Sequence, residues 1–227
     1  MHRKFIKNIF VYNSIIFFFC FSLFIFFPEI DIYISELFFL DGKFISEKYV
    51  FIKDLRYFLK NLMILIPIFV ILFLLKNSVF KNKSKMKVRR KYSLIGLLVG
   101  PIIGCGLIAN LYFKDTWGRA RPVHIQEFGG DRLFTPPFFK SDQCEKNCSW
   151  ISGEASGAFS FLVGTILMKN QFYLIMNMIL GFLVFFCRLT MGGHFFSDNI
   201  FAMIFMIYLA ILYKYLVILC LKNKIIK

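Results

Sequence analysis

Three stretches far apart in the sequence carry residue types that together could handle a phosphoryl group: Lys114 with Arg121-Pro122, then Ser152-Gly153-Glu154, then Arg188 with His194 and Asp198. Arginine offers a planar fork that matches phosphate oxygens, and lysine a compact point charge. An imidazole attacks phosphorus once a partner fixes its tautomer, and a further carboxylate can serve as acid or base. Each stretch lies at the edge of a long apolar run, where ionised side chains are costly and usually functional.

Taken singly, each stretch also has a plainer explanation. Lys114 and Trp117 suit an interfacial anchor at a helix end, although Lys114, Arg119 and Arg121 together exceed what anchoring requires. Ser152 suits a helix cap with Glu154 in the first turn, and Gly153 and Gly157 suit a small-residue packing face. The same helix start would present free backbone N–H groups to an anion. Capping explains Glu154 less well, because a carboxylate at a membrane edge needs a partner. Burial would raise its pKa and neighbouring cations would lower it. Gly192-Gly193 breaks the helix that Arg188 ends. If the backbone is helical from His194, Asp198 shares its face, takes the proton of one ring nitrogen and leaves the other free to attack. The plainer pairing is a loop histidine beside a helix-capping aspartate.

These residues need a scaffold. With 227 residues, 58% hydrophobic content and 32 phenylalanines, the chain reads as an all-α membrane protein of one domain, residues 1–227. Uncharged runs at 8–28, 61–75, 92–113, 155–168, 170–187 and 199–213 give six expected transmembrane helices. The shorter ones extend by starting near Cys148, by snorkelling of Lys60, or by continuing past Lys214. The net charge of +15 is distributed unevenly: basic residues at 3–7, 76–91, 169 and 214–227 fall on one side of these spans with no acidic residue among them. The positive-inside rule then puts both termini and the basic loop 76–91 in the cytoplasm, and the excess charge is topology rather than a nucleic-acid footprint. Contact of that loop with anionic headgroups is a subsidiary reading. The first run ends at Phe26-Phe27-Pro28-Glu29 without a small-x-small cleavage site, so it is expected to remain as a span.

The outer loops would then be 29–60 and 114–150. The first shows no recognisable chemistry; its Phe38-Phe39-Leu40 and Asp41-Gly42 turn suit a segment lying in the membrane interface. The second is an aromatic-rich cap. Four cysteines, Cys20, Cys105, Cys187 and Cys220, read as small buried hydrophobes. Cys144 and Cys148 in the outer loop suit a local disulfide in an oxidising compartment. A zinc site would need two further ligands, and the histidines are only His2, His124 and His194.

The combination resembles the three-part signature of type 2 phosphatidic acid phosphatases, from Lys114 to Asp198, with a six-span topology that agrees. That family normally has histidine at the position of Glu154. The stretches Phe113-Lys114-Asp115 with Trp117-Gly118-Arg119, Cys144 to Ser149, and Gly192-Gly193-His194-Phe195-Phe196-Ser197-Asp198 are similar to the bacterial lipid A 4'-phosphatase branch, which carries an acidic residue there. The resemblance implies a metal-independent lipid phosphomonoesterase of the bacterial inner membrane, with its site facing the periplasm and no cofactor or obligate protein partner. Its substrate would be a phosphorylated membrane lipid, lipid A above all, and removing that phosphate would make the surface less anionic and resist cationic antimicrobial peptides. By the resemblance His194 attacks, Asp198 orients it, and Lys114, Arg121, Arg188, Ser152 and Gly153 hold phosphoryl oxygens. Glu154 is the candidate acid and His124 the second choice. Competing readings are a phosphatase of phosphatidylglycerol phosphate, phosphatidic acid or undecaprenyl pyrophosphate, a lipid phosphotransferase, and a transporter or lipid-binding protein.

Overall fold

The computed structural model describes residues 2–79 and 87–225. Of the basic loop, Lys81, Lys83 and Lys85 lie outside the described residues, as does Lys227.

In hydrocarbon every backbone polar group must be paired within the chain, so long apolar runs become helices. Among the described residues, five helical segments are long and apolar enough to cross a membrane: Ile6–Phe26, Val50–Asn77, Val88–Lys114, Gln171–Thr190 and Phe196–Lys222. They belong to α1 (His2–Phe26), α4 (Val50–Val79), α5 (Val88–Pro101) with its continuation, α8 (Gln171–Thr190) and α9 (Phe196–Ile225). The continuation of α5, Ile102–Lys114, is wound as a π-helix. The change follows Pro101, which lacks the N–H that an α-helical turn requires.

The run expected as a fourth span behaves differently. It forms α6 (Gly153–Ser160) and α7 (Leu162–Thr165), separated by Phe161. At 1.5 Å per residue the pair rises about 20 Å, short of the roughly 30 Å of hydrocarbon. It packs against α5 and its π-helical continuation, α8 and α9, and nearly all of it is buried. Ser93 Oγ donates to the Gly164 carbonyl at 2.8 Å and Asn177 Nδ2 to the Ala158 carbonyl at 2.8 Å, polar contacts typical of helices packed in lipid. This short pair is the axis around which the membrane-length helices gather.

The first outer loop is shorter than the apolar runs implied. Residues 50–60, with Lys53, Arg56 and Lys60, are the first turns of α4. What remains holds α2 (Ile30–Glu36), a hairpin of β1 (Phe39–Leu40) and β2 (Lys43–Phe44), and α3 (Ile45–Lys48). Asp41 and Gly42 take φ of 54° and 77°, the left-handed pair that a tight hairpin needs. Phe39 and Phe44 stack edge-on with each other and pack on Phe128, joining this loop to the second one. The aromatic core beneath contains Phe24, Trp150, Phe159 and Phe201.

Candidate active site

Four element ends meet beneath the second outer loop. Ser152 caps α6, its Oγ accepting from the Ala155 N–H at 3.4 Å, and its own N–H donates to the Asp198 carbonyl at 3.2 Å. The start of α6 is thereby fixed to the first turn of α9. Lys114 ends the long third helix, with its amine over that helix start: a Cβ added at Gly153 would sit 3.2 Å from Lys114 Nζ and 2.6 Å from Asn110 Oδ1.

Lys114 and Arg121 converge on one residue of the outer loop. Lys114 Nζ donates to Asn147 Oδ1 at 2.9 Å, and Arg121 donates through Nε and Nη2 to the Asn147 carbonyl at 3.1 and 2.7 Å. Asn147 has φ of 53°, which asparagine tolerates better than most side chains, and stands in the five-residue loop closed by a Cys144–Cys148 disulfide. Two carbonyl oxygens thus hold the two cations, while Lys114 keeps two amine protons and Arg121 the far edge of its fork.

Arg188 is the most exposed to an energetic penalty. It is only 5% accessible, its Nε is buried without a partner, and its guanidinium makes no hydrogen bond among the described residues. Its nearest anion is Glu154, with Oε1 3.7 Å from Nη1. The guanidinium lies flat on the chain at Gly193, where an added Cβ would come within 2.4 Å of Nη2, so the glycine is required by close approach. A buried, unsatisfied cation with five donors is a site waiting for an anion.

His194 follows Gly193 in the turn before α9, and it is 1% accessible. Its Nδ1 lies 2.7 Å from the Ser149 carbonyl. A carbonyl only accepts, so Nδ1 carries the proton and Nε2 keeps its lone pair. Burial, and then the positive charges of Arg188, Arg121 and Lys114, hold the imidazole's pKa well below 6.5. The ring is therefore neutral at physiological pH, as a nucleophile must be.

The expected His194–Asp198 hydrogen bond is replaced. The helix starts at Phe196, not at His194, so the two residues do not share a helical face, and Asp198 Oδ2 is 3.5 Å from Nδ1. Asp198 instead accepts from the Phe195 N–H at 2.8 Å, from Arg119 Nη1 at 2.7 Å and, closely, from Ser149 Oγ. Its link to the imidazole runs through Ser149, whose hydroxyl donates to Asp198 and whose carbonyl accepts from the ring Nδ1–H.

Glu154 answers the question its sequence position raises. Burial alone would raise its pKa, but the Arg56 hydrogen bonds, then the Arg188 and Arg56 charges, outweigh burial and bring it to about 2. Arg56 reaches it from α4, 98 residues away in sequence, through Nε at 2.9 Å to Oε2 and a close Nη2 contact to Oε1. In the unliganded site Glu154 is a carboxylate and not a proton donor. His124 is exposed in the short turn Pro122–His124, with no side-chain hydrogen bond among the described residues.

Three functional neighbours carry no signal in the apolar runs or the spacing. Arg56 was hidden in an apparent loop. Arg119, counted with the phosphate-facing cations, is fully buried and points away from them, donating to Asp31 Oδ2 at 2.8 Å, Asp198 Oδ1 at 2.7 Å and the Thr135 carbonyl at 2.8 Å. It lies 4.2 Å over the Phe195 ring. Asp31, from the loop that showed no chemistry, also accepts from the Ser197 N–H at 2.9 Å and from Ser197 Oγ.

Residues 92–220 match the PAP2 superfamily, a span that includes every one of these site residues except Asp31 and Arg56. The chain belongs to that superfamily. It is 37% identical over 201 residues to a lipid A 4'-phosphatase of Francisella tularensis subsp. novicida, covering 86% of this chain and 89% of that protein. It is 28% identical to a lipid A 4'-phosphatase of Rhizobium etli, over 76% of this chain and 73% of that one. A Rhizobium leguminosarum protein of the same name is 29% identical, over 76% and 80% respectively. No solved structure matches the chain.

Proposed function

We propose that this PAP2 protein is a lipid A phosphatase that removes the 4'-phosphate through a phosphohistidine. The observation that carries the reading is Arg188, a buried guanidinium without a hydrogen-bond partner among the described residues, beside a neutral His194 whose Nε2 is free. Phosphoryl transfer is mostly positioning and charge stabilisation, which Lys114, Arg121, Arg188 and the Gly153 N–H at the start of α6 supply. His194 Nε2 attacks phosphorus as the bond to the sugar oxygen breaks, and water then attacks the phosphohistidine to release phosphate. Asp198 positions the imidazole through Ser149. Glu154 is ionised before substrate arrives; the incoming phosphoryl charge raises its proton affinity, and a proton carried in by the monoanionic form of the phosphate monoester passes through Glu154 to the leaving sugar oxygen.

The lipid end of the substrate has a route. A cleft of about 650 Å³ runs beside Lys114, between Gly106, Asn110 and Leu111 of the third membrane-length helix and Glu145, Lys146 and Asn147 of the disulfide loop. Its lining mixes charged and amide side chains, suited to a sugar phosphate, with Gly106 and Leu111 of the membrane-length helix. The site-bearing ends of the helices lie opposite the basic ends at Lys76, Lys87–Lys91, Lys169 and Lys222; the short pair α6–α7, shielded by protein, runs from Ser152 at the site towards Lys169 at the basic end and would count as the sixth pass, which favours cytoplasmic termini and a periplasmic site in the inner membrane. The test is the mass and fragmentation of lipid A from cells expressing wild type or His194→Ala. Loss of the 4'-phosphate only with wild type is expected; unchanged lipid A with well-inserted wild-type protein overturns the reading.

A further inference from the structure

A carboxylate inside a phosphate site presents a problem. Glu154 Oε1 stands 3.7 Å from Arg188 Nη1, a loose ion pair without a hydrogen bond, and no other carboxylate pairs with Arg188 among the described residues. Closing that gap would convert the loose pair into a hydrogen-bonded one and remove the Arg188 guanidinium from substrate binding. What holds the carboxylate back is Arg56, which grips both oxygens in a forked pair, the strongest geometry available to a guanidinium and a carboxylate. The pair is sheltered, with side chains 21% and 24% accessible, so water screens it less than a surface pair.

We propose that Arg56 is a positioning residue of the phosphatase reaction: it holds the Glu154 carboxylate away from Arg188 and so keeps Arg188 free for the phosphoryl group. Arg56 does not itself contact substrate. Glu154 places a fixed negative charge in the site, and a cation from a different helix offsets it. Without Arg56 the Glu154 carboxylate is left in a partly buried site with Arg188, 3.7 Å away, as its remaining ion-pair partner among the described residues.

The inference rests on the phosphate-site reading, and a binding cycle tests the two separately. Inorganic phosphate is titrated calorimetrically into the full-length protein in nanodiscs, for wild type, Arg56→Ala, Glu154→Gln and the double variant. Arg56→Ala is expected to weaken phosphate binding about tenfold, the size of one charge-assisted contact. Adding Glu154→Gln to Arg56→Ala should restore affinity to within about threefold of wild type, because an amide cannot sequester Arg188 as a carboxylate does. Arg56→Lys, which keeps the charge, should lie between wild type and Arg56→Ala. Turnover is not the readout, since Glu154→Gln removes an acid as well as a charge. A double variant that binds as weakly as Arg56→Ala, or more weakly, overturns the proposal and leaves Arg56 a structural residue. Wild type that fails to bind phosphate while Arg188→Ala behaves identically overturns the phosphate site itself.

Discussion

Asp31→Asn tests whether the site is held from below by a buried charge triad. Asp31, Arg119 and Asp198 are all fully buried, and Arg119 bridges the two carboxylates at 2.8 and 2.7 Å. Removing one partner from a buried ion pair costs about 3–5 kcal/mol, because the remaining charge is left without compensation. Asparagine keeps the shape and one carbonyl oxygen, which can still accept from the Ser197 N–H, so the lower end, about 3 kcal/mol, applies. For a chain of this size each kcal/mol moves the melting midpoint by about 2–4 °C, which gives a fall of about 6–12 °C. Trp150 lies 6.0 Å from the Arg119 guanidinium and reports on the region by fluorescence, so a thermal melt followed at tryptophan emission reads the right part of the fold. Glu36→Gln, an exposed carboxyl at the end of the same short helix, is the control and should shift the midpoint by about 1–2 °C or less. A fall no larger than the control's would show that Arg119 is compensated elsewhere and would refute the triad as a structural element.

Two further predictions follow from the other contacts. His194 has a folded pKa well below its ordinary 6.5, so the stability it contributes is present above pH 6.5 and declines as pH falls toward the folded value; wild type should lose midpoint over that range, and His194→Ala should lose measurably less. The disulfide loop holds Asn147 against Lys114 and Arg121, so Cys144→Ser with Cys148→Ser should lower kcat/KM several-fold, mainly through KM. Equal KM values in the two proteins would show that the loop's position does not depend on the bond.

The phosphate-facing half of this site was legible because its residues sit at the ends of apolar runs. A Lys, Arg or His placed where a span meets the surface announces itself, and the structure brings Lys114, Arg121, Arg188, His194 and the start of α6 together. Helix ends were less legible, since hydropathy alone gives no reason to carry α4 back through Lys60, Arg56 and Lys53 to Val50. Those charges line the first turns of a helix that emerges from the bilayer, and they looked like loop. The same limit applies to the run 155–168. Its composition is apolar because protein surrounds it, which a count of hydrophobic residues cannot distinguish from lipid. Arg119 misled for another reason: it stands two residues from Arg121 in an irregular segment, with no periodicity to say that one side chain enters the site and the other turns beneath it.

The partners of these residues explain why charge type alone was ambiguous. Asp31 pairs with Arg119 across 88 residues and Arg56 with Glu154 across 98, and neither pair follows a helical or strand spacing. Once the pairs are known, the charges of the site have a simple sum. Five cations, Arg56, Lys114, Arg119, Arg121 and Arg188, stand among three carboxylates, Asp31, Glu154 and Asp198, around a neutral His194. The excess is two positive charges, which is close to the charge of a phosphate monoester at neutral pH. Such an arrangement suits one dianion, and the carboxylates trim five cations to the charge of a single phosphoryl group. Among the residues nearest the proposed phosphate position, Glu154→Gln should therefore tighten the hold on phosphate and Arg188→Ala should weaken its capture, both read by phosphate titration.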